Sequence, residues 1–215
     1  MATGTVRQIP FLTMRLRGLI SCLFLLLGAL PAVRAQQLTW NLEWGFTGTF
    51  FSVHDLHYKT QEGYHMDPRY HDFFFHANGL LGVQAGIRTG RRLQWDLCTG
   101  YYGLQRDMRS IPAGLRGTCH FGKQPGLSGL FGFAEGGVGF SPENWKKNAD
   151  YARAGIGYRI PLGAGAALKL MFSGQLSQTH PLPYDPFDDM IVDPSRLSRS
   201  NRYSAGLTVS AAIGF

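Results

Sequence analysis

The chain has 215 residues, with 21 Lys+Arg against 14 Asp+Glu for a formal charge of +7, and it is rich in glycine (28) and aromatics (13%). Arg7, Arg15, Arg17 and Arg34 carry four of those charges within the first 35 residues, leaving +3 on the rest, and no RNP, helix-turn-helix or zinc-finger pattern accompanies them, which argues against nucleic acid as a partner. Beyond residue 35 no apolar run reaches the 18 or more residues that a transmembrane helix needs, and the composition suits many strands and turns.

The first residues read as an address. Met14-Arg15-Leu16-Arg17 gives a positive n-region, Leu19 to Leu30 an apolar core too short to span a bilayer, and Ala32-Val33-Arg34-Ala35 small residues at the −3 and −1 positions. A signal peptide over 1–35 is expected, cleaved after Ala35, with one domain over 36–215; Met1 to Thr13 is consistent with a mis-assigned start. Cys22 lies inside the apolar core and not at its end, so lipoprotein acylation is not expected.

Eight segments then alternate apolar and polar residues at a period of two, the pattern of strands with two unlike faces. The first, Trp40 to Val53, sets Leu42, Trp44, Phe46, Gly48 and Phe50 against Glu43, Thr47 and Thr49. The second, Phe73 to Arg88, sets Phe75, Ala77, Leu81, Val83, Ala85 and Ile87 against His76, Asn78, Gln84 and Arg88. In the third, Arg92 to Leu104, Leu93, Trp95, Leu97 and Tyr101 oppose Gln94, Asp96 and Tyr102. The fourth is short, Leu115 to Phe121, with Arg116, Thr118 and His120 on the polar side.

The fifth, Leu127 to Phe140, is irregular: Phe131 and Phe133 fall out of phase with Val138 and Phe140, and a bulge near Gly136-Gly137 would reconcile them. The sixth, Tyr151 to Ile160, sets Ala152, Ala154, Ile156, Tyr158 and Ile160 against Arg153 and Arg159. The seventh, Ala166 to Ser177, sets Leu168, Leu170, Phe172 and Leu176 against Lys169, Ser173, Gln175 and Ser177. The eighth, Asn201 to Phe215, has one apolar row (Tyr203, Ala205, Leu207, Val209, Ala211, Ile213, Phe215) and a small or polar row broken only by Ala212.

The connections predict alternation of long and short. His54–Asp72, Gln105–Gly114, Ser141–Asp150 and Gln178–Ser200 are long; Thr89–Arg91, Gly122–Gly126 and Pro161–Gly165 are tight. An even number of antiparallel strands with short periplasmic turns and long extracellular loops is the rhythm of an outer-membrane barrel. Alternation alone does not say which row faces in, and a soluble lipocalin-like barrel would bury the apolar one. The signal, the closing Phe215 and the Arg/Glu content of the polar row favour the membrane arrangement. Aromatics at two levels agree with interfacial girdles: Trp40, Trp44, Trp95, Phe121, Tyr158 and Phe215 towards one end, Phe50, Phe75, Tyr101, Phe140 and Tyr203 towards the other.

With Ser210-Ala211-Ala212-Ile213-Gly214-Phe215 closing it, the chain resembles the small eight-stranded outer-membrane proteins of the OmpA/OmpX type. The resemblance is architectural and assigns no subfamily. It implies an all-β, eight-stranded antiparallel up-and-down transmembrane β-barrel, without the peptidoglycan-binding domain of full-length OmpA. It further implies a periplasmic N-terminus, extracellular long loops, and handling by the barrel assembly machinery through the C-terminal strand.

An interior of this strand number is just wide enough to be filled by side chains. Inward Glu43, Asp96 and Glu135 are expected to pair with Arg88, Arg116, Arg153, Arg159, Lys169 and Arg202, since buried charges are tolerated only when paired. A wide diffusion pore is not expected. His180, beside Ser177 and Thr179 and followed by Asp185, is the only constellation suggesting a lipid A acylase or deacylase, and no deacylase motif accompanies it.

His54, His57, His65 and His71, with His76 in the next strand, raise metal or haem capture, although no spacing of a known closed site appears. Asp185, Asp188, Asp189 and Asp193 lack an EF-hand pattern. Arg106, Arg109, Lys146, Lys147, Arg196 and Arg199 are placed to meet lipopolysaccharide phosphates, or are simply a solvated face. Cys98 and Cys119 fall on adjacent strands but opposite faces, which argues against a disulfide despite the oxidising periplasm.

No catalytic, cofactor-binding or metal residue is assigned. The expected role is structural or surface interaction through the loops, with outer-membrane lipid, lipopolysaccharide and an envelope protein as partners. The alternatives are a lipid A-modifying enzyme and an accessory subunit of an envelope secretion or transport complex.

Overall fold

The computed structural model describes residues 37–105, 108–121, 128–143, 145–163, 165–185 and 190–215, so the expected signal peptide lies outside the described residues. Eight long strands form the wall: β1 Gln37–Lys59, β3 Arg69–Thr89, β4 Leu93–Gln105, β5 Met108–His120, β6 Gly129–Phe140, β7 Lys147–Gly163, β8 Ala166–Thr179 and β11 Leu197–Gly214. Each pairs antiparallel with the next, and β11 returns to pair with β1, so the sheet closes into an up-and-down barrel. Two-residue β2 (His65–Met66) adds to the end of β1, while β9 (Tyr184–Asp185) and β10 (Met190–Ile191) make a separate small hairpin before a 3-10 turn at Pro194–Arg196.

The pleat decides the polarity. Along β1, Leu38, Trp40, Leu42, Trp44 and Phe46 are exposed on the outside while Thr39, Asn41, Glu43 and Thr47 are buried in the lumen. Along β11, Leu207 and Val209 face out and Thr208 and Ser210 face in. An apolar belt of this extent would be an aggregation surface in water and is stable against lipid. The barrel is therefore of the outer-membrane type, and the lipocalin-like alternative is overturned by the direction of the apolar rows. Trp40, Trp95, Phe121, Tyr158, Phe50, Phe75, Tyr101 and Tyr203 all lie exposed on that outer surface.

Four features differ from the sequence expectation. First, β5 starts at Met108 and not at Leu115, so the connection expected over Gln105–Gly114 is mostly strand, with Gln105 paired to Met108. Pro112 sits within the strand, between Ile111 and Ala113. The β4–β5 ladder passes from Thr99↔Ala113 to Tyr102↔Ser110 and skips Pro112, which has no N–H to donate. Opposite it, Gly100 has φ 148°, and a Cβ there would strike the Leu81 carbonyl.

Second, there is no bulge at Gly136-Gly137. The β5–β6 and β6–β7 registers run unbroken through both residues, and the irregularity falls at Gly139/Phe140. Phe131 and Phe133 are luminal residues in phase with Glu135. Space for them comes from β7: a Cβ on luminal Gly157 would run into the Phe131 ring.

Third, β1 carries a bulge at Thr49/Phe51 against both neighbours, so that Ser52 and His54 face in where unbroken alternation would turn them out. Fourth, the long connections are shorter than expected because strands run into them. β1, β3 and β11 have 23, 21 and 18 residues, against about 9–11 for a membrane crossing, and they continue beyond the wall as a ribbon. Asp55 pairs with Arg69 and Asn201 there, within what had been expected as a loop from His54 to Asp72. β7 likewise begins at Lys147, leaving residues 141–146 between it and β6. The expected turn at Gly122–Gly126 lies outside the described residues.

Candidate functional site in the barrel lumen

Adjacent and opposite walls each send one charged residue to the middle of the lumen. Glu43 comes from β1, Arg116 from β5, Glu135 from β6 and Arg153 from β7, and each is at most 4% exposed. Arg116 Nη2 lies 2.7 Å from Glu43 Oε2 and 2.5 Å from Glu135 Oε2, with its Nε donating to the same Glu135 oxygen at 2.9 Å. Arg153 Nη2 bridges the same two acids, 3.0 Å from Glu43 Oε1 and 2.9 Å from Glu135 Oε2. Two cations and two anions leave no net charge.

The remaining carboxylate lone pairs are taken by neutral donors. Tyr102 and Tyr151 hydroxyls donate to Glu135 Oε1 at 3.1 and 2.9 Å. Ser210 Oγ donates to Glu43 Oε1 at 2.7 Å, and Gln84 Nε2 donates to Glu43 Oε2. Neutral donors around paired charges are what low-dielectric burial requires, because an unpaired buried charge is costly.

Apolar collars close the network on both sides. Towards the end bearing the short turns, Phe131, Phe133, Met171 and Ala212 pack together. Leu80, Tyr102, Leu104, Ala149 and Tyr151 pack towards the long-loop end. The Arg116 guanidinium carbon sits 4.7 Å from the Phe133 ring centroid, and that of Arg153 lies 5.5 Å from the same ring and 5.7 Å from Tyr102. The Arg153 Nε and Nη1 groups, which have no hydrogen-bond partner among the described residues, thus belong to a guanidinium flanked by aromatic rings.

The structure brings together four of the nine charged residues expected to pair. Asp96 takes hydrogen bonds from Thr39 and Gln94 instead, Lys169 donates to Asn41 Oδ1 at 2.7 Å, and Arg88 and Arg159 lie with them near the short-turn end. Arg202 donates to His54 Nδ1 at 3.3 Å near the other mouth. Sequence reasoning had Phe131 and Phe133 as misplaced outward residues, and it gave Gln84, Ser210 and Tyr151 no role. The signal for the phenylalanines was available, since 131, 133 and 135 share parity with the inward Glu135.

The other candidates disperse. His180 Nδ1 lies 2.9 Å from the Ser200 carbonyl oxygen, and no hydrogen bond joins it to Ser177 or Thr179 among the described residues. Those two residues point into the lumen, whereas His180 is exposed. His54 is a luminal residue of β1, its Nε2 3.3 Å from Ser200 Oγ. His57 meets Asp67 at 2.7 Å and Asp55 at 3.4 Å, while His65 and His71 are exposed. No group of three or more His, Cys, Asp or Glu in a metal-holding arrangement occurs among the described residues.

Asp193 caps the 3-10 turn; the Ser195 N–H and hydroxyl donate to its carboxylate at 2.8 and 2.6 Å and hold it below the usual aspartate range. Asp188, Asp189 and Arg106 lie outside the described residues. Lys147 pairs with Asp150 at 2.7 Å and Arg199 with Asp55 at 3.3 Å. Cys98 and Cys119 are free thiols; Cys98 is opposite Gly114 in the ladder and Cys119 opposite Leu93.

No protein-family model matches the chain, and no curated protein sequence does either. Among solved structures it is similar to Neisserial surface protein A (NspA), at 8% identity and a TM-score of 0.44, over 84% of this chain and 98% of that one. It is similar also to the outer membrane protein AlkL, at 13% identity and 0.42, over 86% and 94%. A third is the outer membrane protease OmpT from Escherichia coli, at 8% and 0.37, over 86% and 99%. At these identities and scores, the likenesses carry nothing about activity.

Proposed function

We propose that this chain is an integral outer-membrane barrel with a structural or surface-interaction role, exerted through its long-loop end. In this reading residues 1–35 direct export, the N-terminal end of β1 faces the periplasm, the assembly machinery engages the final strand, and the long loops are extracellular. The observation that carries the reading is the lumen. A neutral four-charge network between two apolar collars closes it, which suits a rigid scaffold better than a diffusion channel. The ribbon of β1, β3 and β11 beyond the wall supports display at that end. Arg109, Lys147, Arg196 and Arg199 on that side suit the phosphates of lipopolysaccharide.

The test combines three readouts on the full chain. Membrane-extracted protein migrates differently on gels boiled and unboiled; protease added to intact cells cuts in residues 180–196; and planar bilayers show no large stable conductance. Recovery in the soluble periplasm, or cleavage of that segment only after the outer membrane is permeabilised, would overturn the reading.

A further inference from the structure

The short-turn end of the lumen holds a second polar site, and it is built on a different charge balance from the central network. A cavity of about 390 Å³ opens there, lined by Thr39, Asn41, Arg88, Gln94, Arg159 and Lys169 among others. It contains three cations. Lys169 is only 6% exposed, and Arg88 and Arg159 are half-buried. The one acidic side chain at this level among the described residues is Asp96, whose carboxylate takes its hydrogen bonds from Thr39 Oγ1 (3.1 Å) and Gln94 Nε2 (2.8 and 2.9 Å) and forms no ion pair among them. His120 is turned to Gln94, its Nε2 3.4 Å from Gln94 Oε1. Phe215, on the rim, pairs its backbone with Trp40. Among the side chains at this level, Arg88, Arg159 and Lys169 outnumber Asp96, and the Phe215 carboxylate on the rim offsets part of the excess.

The hydrogen-bond ledger points the same way. Lys169 Nζ donates to Asn41 Oδ1 at 2.7 Å, which fixes the amide with its nitrogen as a donor. Asn41 Nδ2, on a residue 3% exposed, has no partner among the described residues. Neither have Arg88 Nε and Arg159 Nε. All three are N–H donors, and among the buried side-chain atoms of the described lining residues no acceptor is without a partner. Buried cations that lack counter-charge are costly unless something anionic meets them. Guanidinium forks match tetrahedral oxyanions, and an ammonium adds a point charge.

We propose that this cavity is an anion site for a phosphate group, either inorganic phosphate or a phosphomonoester. Its charge offsets the excess of cations, and its oxygens accept from the two guanidinium groups. The site sits below the Phe131, Phe133, Met171 and Ala212 collar and shares no residue with the central network. It is therefore separable from barrel integrity.

The experiment titrates inorganic phosphate into the purified, detergent-folded full chain at constant ionic strength, with chloride as the replacement ion, and follows binding by calorimetry. Saturable one-site binding is expected, weakened about ten-fold or more by Arg88→Gln and likewise by Arg159→Gln, each replacing charge-assisted bonds. Both variants keep the heat-dependent gel shift, which establishes that they fold. Should either be lost on folding, Lys169→Met serves in its place with the same expectation. A competition arm adds short-chain phosphatidic acid, a phosphomonoester, against phosphatidylcholine, a phosphodiester. Displacement of phosphate by the former alone identifies a lipid headgroup as a source, and no displacement identifies the free ion. Equal heats with chloride and phosphate, or variants that bind phosphate as tightly as the parent, would overturn the proposal.

Discussion

Glu43 and Arg116 are 73 positions apart in the chain and meet at 2.7 Å across the barrel lumen, from β1 and β5. The contact does not follow from ladder pairing, because β1 bonds only to its neighbours β3 and β11 and to the short β2. It is a cross-barrel tie. Arg153 makes a second tie from β7 to the same acid, and Glu135 closes the square. A closed sheet has no edges to fray, so its interior ties fix register around the ring as well as filling space.

Removing one acid from that square leaves two guanidinium groups sharing a single carboxylate. Breaking a buried pair in this way costs about 3–5 kcal/mol. Glu135→Ala also strips acceptors from Tyr102 and Tyr151. Urea unfolding of the folded barrel, followed by loss of the heat-dependent gel shift, is expected to show that drop. Pairing Glu135→Gln with Arg116→Met recovers much of it, since a neutral, volume-matched replacement leaves one acid and one cation.

Gly157 marks the fit between β7 and the luminal phenylalanines. A Cβ there meets the Phe131 ring and also comes to 2.7 Å from the Leu170 carbonyl oxygen, and forced overpacking costs about 1–3 kcal/mol. Gly157→Ala is expected to destabilise by that amount, and Phe131→Leu to relieve the part that comes from the ring. A double-mutant cycle checks this: the coupling falls near zero if the ring is not what the methyl meets.

How much of this was legible beforehand divides along physical lines. Period-two alternation, the strand count and closure by the last strand depend on local pattern, and Leu207, Val209, Thr208 and Ser210 lie where that pattern put them. The direction of the apolar row did not follow from alternation, because a pleat looks the same from either side. Glu43, Glu135, Arg116 and Arg153 were expected to pair as members of a larger set; their selection from it depends on shear, which staggers strands by amounts that no single segment encodes. The connection expected over Gln105–Gly114 is mostly strand, with Pro112 where the β4–β5 ladder skips it, and Phe131, expected in phase with Val138 and Phe140 through a bulge, packs in the lumen over Gly157. The β1 bulge at Thr49/Phe51 left no signal in the local residues, since Phe50 and Phe51 are both apolar.

The two cysteines are expected to stay reduced. Cys98 pairs opposite Gly114 and Cys119 opposite Leu93, so they are offset by five positions along the ladder, and only Cys98 is buried in the lumen. Alkylation of the native protein followed by mass spectrometry should modify Cys119 first and Cys98 only after unfolding. A mass two units below the dithiol value, or equal labelling rates, would contradict this arrangement.

The last prediction concerns the ribbon. Leu56 and Tyr58 of β1 pack against Val192, with Met66 and Leu197 alongside, and this satellite cluster is separate from both luminal collars. It joins two connections: Leu56 N donates to the Pro68 carbonyl at 3.2 Å, and Val192 N donates to that of Pro183 at 2.9 Å. Truncating a buried leucine costs about 2–5 kcal/mol, the lower end applying to a small cluster. Because the cluster lies beyond the charge network, Leu56→Ala should act on local opening and not on the barrel. A change of about 2 kcal/mol makes the open form about thirty-fold more populated, and cleavage of a fast-opening segment follows that population. Limited trypsin digestion of the folded protein is therefore expected to cut faster at Arg196 and Arg199, with the heat-dependent gel shift unchanged. Glu135→Ala should give the reverse pattern, a weaker barrel with the ribbon still protected at low denaturant. If Leu56→Ala lowers the unfolding midpoint of the barrel as much as Glu135→Ala does, the ribbon and the wall unfold as one unit and the cluster is part of the barrel's cooperative core.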